Sequence, residues 1–305
     1  MTEKIRFDGQ VSIITGAGGS LGRLYSLELA RLGAKVVVND LGVAVDGTGK
    51  KSTSPADKIV NEIKSLGGEA VANYDDVSTV DGGKNIIKTA LDSFGKVDIL
   101  INNAGIYKPI KLLEMEPNDW DQVIAVHLRA AYCVTRPAVK HMIDNNYGRI
   151  LMITSGTGIY GSSGGTCYGA AKMGVIGFTK SLKEELKSFN IKINSLAPLA
   201  ASRMNKKLFD SAFLNTIKPE YVAPLALYLV SNDCQVSGEF FYAGQSSFAR
   251  HAIFLGPVVK IGDGITPPNL KDIKINWEKM MQSEGSIELK SRLDSIRFLH
   301  FPNKN

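Results

Sequence analysis

Apolar residues along the chain fall into two alternating patterns. Short apolar runs at Val11–Thr15, Lys35–Asn39, Glu69–Tyr74, Val97–Asn102, Arg149–Thr154 and Lys192–Leu196 read as buried strands. Between them, apolar positions recur with helical spacing over Leu21–Leu32, from Ser54 to Gly67, and over Asp81–Phe94, Asp119–Met142 and Cys167–Ser188. Ser54-Pro55 supplies a helix N-cap and first turn, while Gly33 and Gly67-Gly68 supply stops. Regular strand–helix alternation predicts an α/β fold, a doubly wound (Rossmann-type) parallel sheet with helices on both faces.

Beyond Pro198 the pattern loosens. Pro219–Val230 reads as a helix and Glu239–Ala243 as a last strand, which closes a dinucleotide-binding domain over residues 1–243. Residues 244–305 then form a C-terminal extension: a strand-like Ala252–Ile261, a Gly/Pro hinge from Gly262 to Pro268, and helical stretches at Leu270–Met281 and Ile287–Leu299. Gly42–Ser54 is a polar loop, longer than most strand-to-helix connections.

Composition narrows the function classes. At 305 residues the chain can bury one large core with a small appendage. No apolar run is long enough to span a bilayer, and the polar start Met1-Thr-Glu-Lys lacks the apolar segment of a secretory signal. Cys133, Cys167 and Cys234, an odd number in apolar or helical contexts, read as free thiols of a reducing compartment. The net charge of +6 is scattered without a basic, aromatic-interleaved patch, so a nucleic-acid partner is not expected, whereas a phosphate-rich small molecule fits. His127, His141, His251 and His300 have no metal-ligand spacing. Gly-x-Ser-x-Gly is absent around Ser155, which argues against a serine hydrolase.

Two stretches carry the candidate chemistry. Val11–Thr15 runs straight into the turn Gly16-Ala-Gly18-Gly-Ser20-Leu21-Gly22 and then into a helix, the order a dinucleotide pyrophosphate site requires. Asp40 ends the next strand, where a carboxylate accepts from adenosine ribose hydroxyls and repels a 2′-phosphate; NAD rather than NADP is the expected cofactor. Further on, Tyr168 and Lys172 lie four residues apart on a helix and project from one face, so the ammonium can favour the phenolate. Ser155, at the end of the preceding strand, can hold a reacting oxygen.

With the Gly-rich turn, Asn102-Asn-Ala-Gly105, Ser155 and Tyr168-x-x-x-Lys172 in this order, the sequence resembles the short-chain dehydrogenase/reductase family from about Phe7 to Ala243. Ser20 stands where that family usually carries a glycine. More narrowly the chain is similar to the (3R)-hydroxyacyl-CoA dehydrogenase units of peroxisomal multifunctional enzymes. Arg6-Phe-Asp-Gly9, Val38-Asn-Asp-Leu-Gly42, Ala70-Val-Ala-Asn-Tyr-Asp75, Val126-His-Leu-Arg129, Ser202-Arg-Met204 and Lys218-Pro-Glu-Tyr-Val-Ala-Pro224 carry the likeness.

The resemblance implies that Asp76 and Val77 border the adenine, that Asn103, Ala104 and Gly105 lie beneath the cofactor, and that Pro198 also lines its site. It implies Tyr168 as proton acceptor, Lys172 as its tuner and ribose ligand, Ser155 as holder of the substrate oxygen, and a substrate-covering segment over Ala200–Phe213. His127 takes the place of a family asparagine, as an anchor for a proton relay or as a core residue. The implied reaction is NAD-dependent oxidation of a (3R)-3-hydroxyacyl-CoA in fatty-acid β-oxidation. A steroid or other secondary alcohol is the alternative substrate, and a non-catalytic NAD-binding module the alternative class. Also implied are a homodimer with the extension packed on it, hydratase and sterol-carrier units of a longer chain, and a peroxisomal location. The C-terminus Phe301-Pro-Asn-Lys-Asn305 is not a Ser-Lys-Leu-type signal, and without peroxisomal import the expectation is the cytosol.

Overall fold

The computed structural model describes residues 5–206, 209–262 and 265–294. Its elements follow the expected alternation: β1 (Val11–Thr15), α1 (Ser20–Arg31), β2 (Lys35–Asn39), α2 (Ser54–Ser65), β3 (Ala70–Asn73), α3 (Val80–Phe94) and β4 (Ile99–Asn102). After a 3₁₀ turn at Leu112–Glu114 come α4 (Pro117–Ile124), α5 (Ala130–Asp144), β5 (Gly148–Ile153), α6 (Gly156–Tyr160), α7 (Thr166–Leu186) and β6 (Ile191–Pro198). The less regular part holds α8 (Ser211–Thr216), α9 (Ala223–Leu229), β7 (Phe240–Gly244), β8 (Ser247–His251), β9 (Phe254–Leu255), α10 (Leu270–Met280) and β10 (Ile287–Glu288).

Eight strands form one sheet in the order β3-β2-β1-β4-β5-β6-β7-β8. Ile13 of β1 registers with Val37 on one side and Leu100 on the other, and every pairing from β3 to β7 is parallel. Because side chains alternate across a strand, Ile13 and Ile14 serve opposite cores. Ile14, Val36, Val38 and Leu151 pack with Tyr25, Leu29, Ile59, Ile63 and Leu229 of α1, α2 and α9. Ile13, Val37, Leu100 and Ile150 pack with Ile86, Val134, Met142 and Val175 of α3, α5 and α7. Truncating a fully buried member such as Ile150 to alanine costs about 2–5 kcal/mol. Strand order reverses between β1 and β4, and at such a switch point the carboxyl ends of the strands open a crevice.

Four expectations are corrected. The long helix over Asp119–Met142 is broken by a π-helical turn, Ala125–Arg129, between α4 and α5. The main compact unit ends at Arg250 rather than at residue 243, and residues 251–305 form the second unit. Gln245 and Ser246, both at positive φ, make a two-residue hairpin turn that adds β8 to the sheet. Within the second unit the strand-like Ala252–Ile261 shrinks to β9, and its partner β10 occupies the start of the helix expected at Ile287–Leu299. Residues 295–299 of that stretch lie outside the described residues. No described helix is long and apolar enough to cross a membrane.

Candidate active site

The glycine turn sits at the carboxyl end of β1. Gly16 has φ +63°, and a Cβ there would stand 2.7 Å from Ala104 Cα; a Cβ on Gly22 would stand 2.5 Å from the Gly16 carbonyl oxygen. Neither position admits a side chain. α1 begins with Gly19 as N-cap and no capping side chain, which leaves its first N–H groups to meet an anion. Thr15 ties this turn to its neighbour: its Oγ1 accepts from the Asn103 and Ala104 N–H groups at 3.0 Å, and Asn103 Nδ2 donates to the Thr15 and Gly16 carbonyls at 2.9 and 3.1 Å.

Asp40 is oriented by two backbone donors. Its Oδ2 accepts from Gly18 N–H and its Oδ1 from Gly42 N–H, both at 2.8 Å. Beneath it, buried Asn39 donates to Asn73 Oδ1 and to the Asp75 carbonyl, and Asn73 donates to Asp75 Oδ2 and Thr89 Oγ1. This amide–carboxylate network sets the backbone that carries Asp76 and Val77.

At the other end, Ser155 caps α6, its Oγ accepting from Thr157 N–H at 3.2 Å. Thr154 Oγ1 donates to the Lys172 carbonyl at 2.7 Å and so registers the end of β5 against α7. On α7, Lys172 Nζ lies 5.6 Å from the centre of the Tyr168 ring and donates to the Ile153 carbonyl. Tyr107 and His127 meet the Tyr168 ring edge-on, at centroid separations of 5.7 and 5.0 Å.

Burial dominates the electrostatics. It pushes the Tyr168 phenol up to about 12, against a hydrogen bond with Ser155 that pulls it down. Burial lowers Lys172 to about 7. Burial is the largest cause at Tyr168 and the sole one at Lys172. His127 is held well below its ordinary value, first by burial and then by Lys172, so its imidazole is neutral. It occupies the π-helical turn, with Nε2 2.7 Å from the Ile106 carbonyl and 3.1 Å from Ile106 N–H, and its buried Nδ1 has no hydrogen-bond partner among the described residues. A cavity of about 10 Å³ lies against both His127 and Lys172.

One cleft of about 600 Å³ joins the two ends. Its wall includes Gly16, Ser20, Leu21, Gly22, Asp40, Asp76, Val77, Asn103, Ala104, Gly105, His127, Ser155, Tyr168, Lys172 and Pro198. Gly18 is not on that wall; its amide is spent on Asp40. An uncapped helix N-terminus, a turn too tight for any Cβ and an oriented acid in one cleft fit a dinucleotide.

The short chain dehydrogenase family model matches residues 10–212. The chain belongs to the short-chain dehydrogenase/reductase family. It is 45% identical over 283 residues to peroxisomal multifunctional enzyme type 2 of Mus musculus, covering 92% of this chain and 38% of that protein. It is 43% identical to a putative short-chain type dehydrogenase/reductase of Mycobacterium tuberculosis, covering 91% of this chain and 96% of the relative. Among solved structures, full-length peroxisomal multifunctional enzyme type 2 of Drosophila melanogaster superimposes with a TM-score of 0.82 at 30% identity, over 97% of this chain and 49% of that one. The chain thus spans half or less of the two multifunctional enzymes.

As an oxidoreductase of this family the chain has site residues that spacing alone did not reveal. The loop after β2 crosses the cleft: Val45 accepts from Tyr107 N–H at 2.9 Å and the Gly47 carbonyl from Gln122 Nε2 at 3.3 Å. Tyr107, Gln122 and Val126 join the wall from one side, and Ser202, Arg203, Met204, Asn205 and Phe209 from beyond β6. The length of the Gly42–Ser54 loop was the one available signal for the crossing.

Proposed function

We propose that the chain is an NAD-dependent dehydrogenase that oxidises (3R)-3-hydroxyacyl-CoA to 3-ketoacyl-CoA. The observation that carries this reading is the convergence of Ser155, Tyr168 and Lys172 on one end of a cleft whose other end presents Asp40. Asp40 accepts from the two ribose hydroxyls and disfavours a 2′-phosphate; the α1 N-terminus receives the pyrophosphate. Bound NAD supplies the hydride acceptor.

Ser155 Oγ donates to the substrate oxygen and holds the carbinol against Tyr168. Tyr168 takes the hydroxyl proton as the carbonyl forms. A phenol near 12 in the free protein needs added positive charge before it can act as a base near neutrality, and Lys172, near 7, is placed to supply it or to pass a proton on. His127, kept neutral, orders the Ile106 backbone with Nε2, and the small cavity that His127 and Lys172 both line is about the size one relay water needs.

The same proposal includes a β-oxidation role in peroxisomes, attachment to a hydratase in a longer chain and a homodimer, each supported by the likeness to the multifunctional enzymes. Turnover of NAD with a 3-hydroxyacyl-CoA set beside a steroid secondary alcohol tests the substrate class. The thioester should be preferred, and activity on the steroid alone would reverse the assignment.

A further inference from the structure

The cleft is charged unevenly. Its acids Asp40, Asp75 and Asp76 lie at the ends of β2 and β3. Four strand spacings, about 19 Å, separate β2 from β6, and among the described residues the wall beyond β6 carries no acid: Met204 and Phe209 supply apolar surface there, with Arg203 beside them.

Arg203 is exposed and has no ion-pair or hydrogen-bond partner among the described residues. Among the described residues the cleft wall holds two other cations, Lys51 and Lys172, while Lys206, three residues beyond Arg203, is exposed but off that wall. Lys108 is paired with Asp119 and largely buried, and Lys172 donates to Ile153. Lys51 belongs to the adenosine end, because the adjacent Ser52 N–H reaches the Leu41 carbonyl beside Asp40.

The turn that presents Arg203 is also built. Asn205 Oδ1 accepts from Ser202 N–H at 2.8 Å, Asn205 Nδ2 donates to the Ala200 carbonyl at 2.7 Å, and Ser202 Oγ accepts from Met204 N–H at 3.2 Å. Arg203 is thereby held within a closed turn, next to the end of the strand that neighbours β5 and Ser155. A guanidinium held free at the rim of an apolar pocket is suited to phosphate.

Resting on the thioester reading above, we infer that Arg203 grips a phosphate of the substrate's carrier, with Asn205 as its positioning residue. The acyl group then enters among Met204 and Phe209, and the anionic carrier stays at the rim.

The test compares one 3-hydroxyacyl group on two carriers: coenzyme A and neutral N-acetylcysteamine. With Arg203→Ala, KM for the CoA thioester should rise about tenfold or more, the usual worth of a hydrogen bond to a charged group, while kcat changes little. KM for the neutral thioester should stay within about twofold, and Arg203→Lys should restore much of the CoA discrimination. An equal rise for both carriers, or no rise for CoA, would overturn the assignment of Arg203 alone. Wild-type turnover of neither thioester would overturn the dehydrogenase reading and this inference with it.

Discussion

Lys172 Nζ, on a buried side chain, donates to the Ile153 carbonyl at 2.7 Å. Burial lowers the lysine to about 7, from an ordinary 10.5. Between those values the unfolded chain binds more protons than the folded one, so this group's contribution to stability rises with pH, by up to ~1.4 kcal/mol per unit. Below about pH 7 both states are protonated and the penalty is fully present. Urea unfolding of wild type and Lys172→Met from pH 6.5 to 9 should show the mutant's relative stability falling as pH rises. Subtracting the two curves cancels the buried cysteines, which burial raises. A pH-independent difference would mean that Lys172 is not desolvated.

Replacing Tyr168 with phenylalanine removes the proposed proton acceptor and leaves the ring contacts with Tyr107 and His127 in place. kcat should fall by about 10³-fold, while the Kd for NAD stays within about threefold. A variant that keeps more than about a tenth of wild-type kcat would show that another group takes the proton.

How much of this site the sequence disclosed depends on the range of each interaction. Tyr168 and Lys172 share one helix face, and Gly16 to Gly22 follow one strand; both relationships are local and readable from spacing. The π-helical turn under His127 was not readable, since apolar residues continue through Ala125–Arg129 and do not reveal one wider turn. The bond from the Gly18 amide to Asp40, twenty-two positions away, was not readable either. The bonds from the Val45–Gly47 loop to Tyr107 and Gln122, and the Asn39–Asn73–Asp75 network, join segments that only the folded sheet brings together.

Asp40 sets the choice of cofactor in this account. Asp40→Ala should narrow the ratio of kcat/KM for NAD over NADP by about tenfold or more, because repulsion of the 2′-phosphate disappears. Steady-state kinetics with both cofactors reads this directly. A wild-type enzyme that prefers NADP would remove the assignment of NAD.

A proposed homodimer has few apolar side chains on α4, α5 and α7 to bury. Val123, Ala131, Val134, Ala171, Val175 and Ile176 are already buried within the single chain. What α4, α5 and α7 leave outward is Trp120, Tyr132 and Met173, exposed to 39, 45 and 44%. The proposed dimer covers these three. Sedimentation at micromolar concentration should give a dimer, and a monomer at that concentration would defeat the proposal.

The most direct measurement of the central claim follows the appearance of reduced nicotinamide from NAD with the 3R and 3S epimers of one 3-hydroxyacyl-CoA. Fixed positions of Ser155 and Tyr168 on one side of the reacting carbon allow only one epimer to place both its hydroxyl and its hydrogen correctly. The account predicts turnover of the 3R epimer with kcat/KM at least about 100-fold above that of the 3S epimer, an advantage of roughly 2.7 kcal/mol. Preference for the 3S epimer, or no reduction of NAD with either, would contradict it.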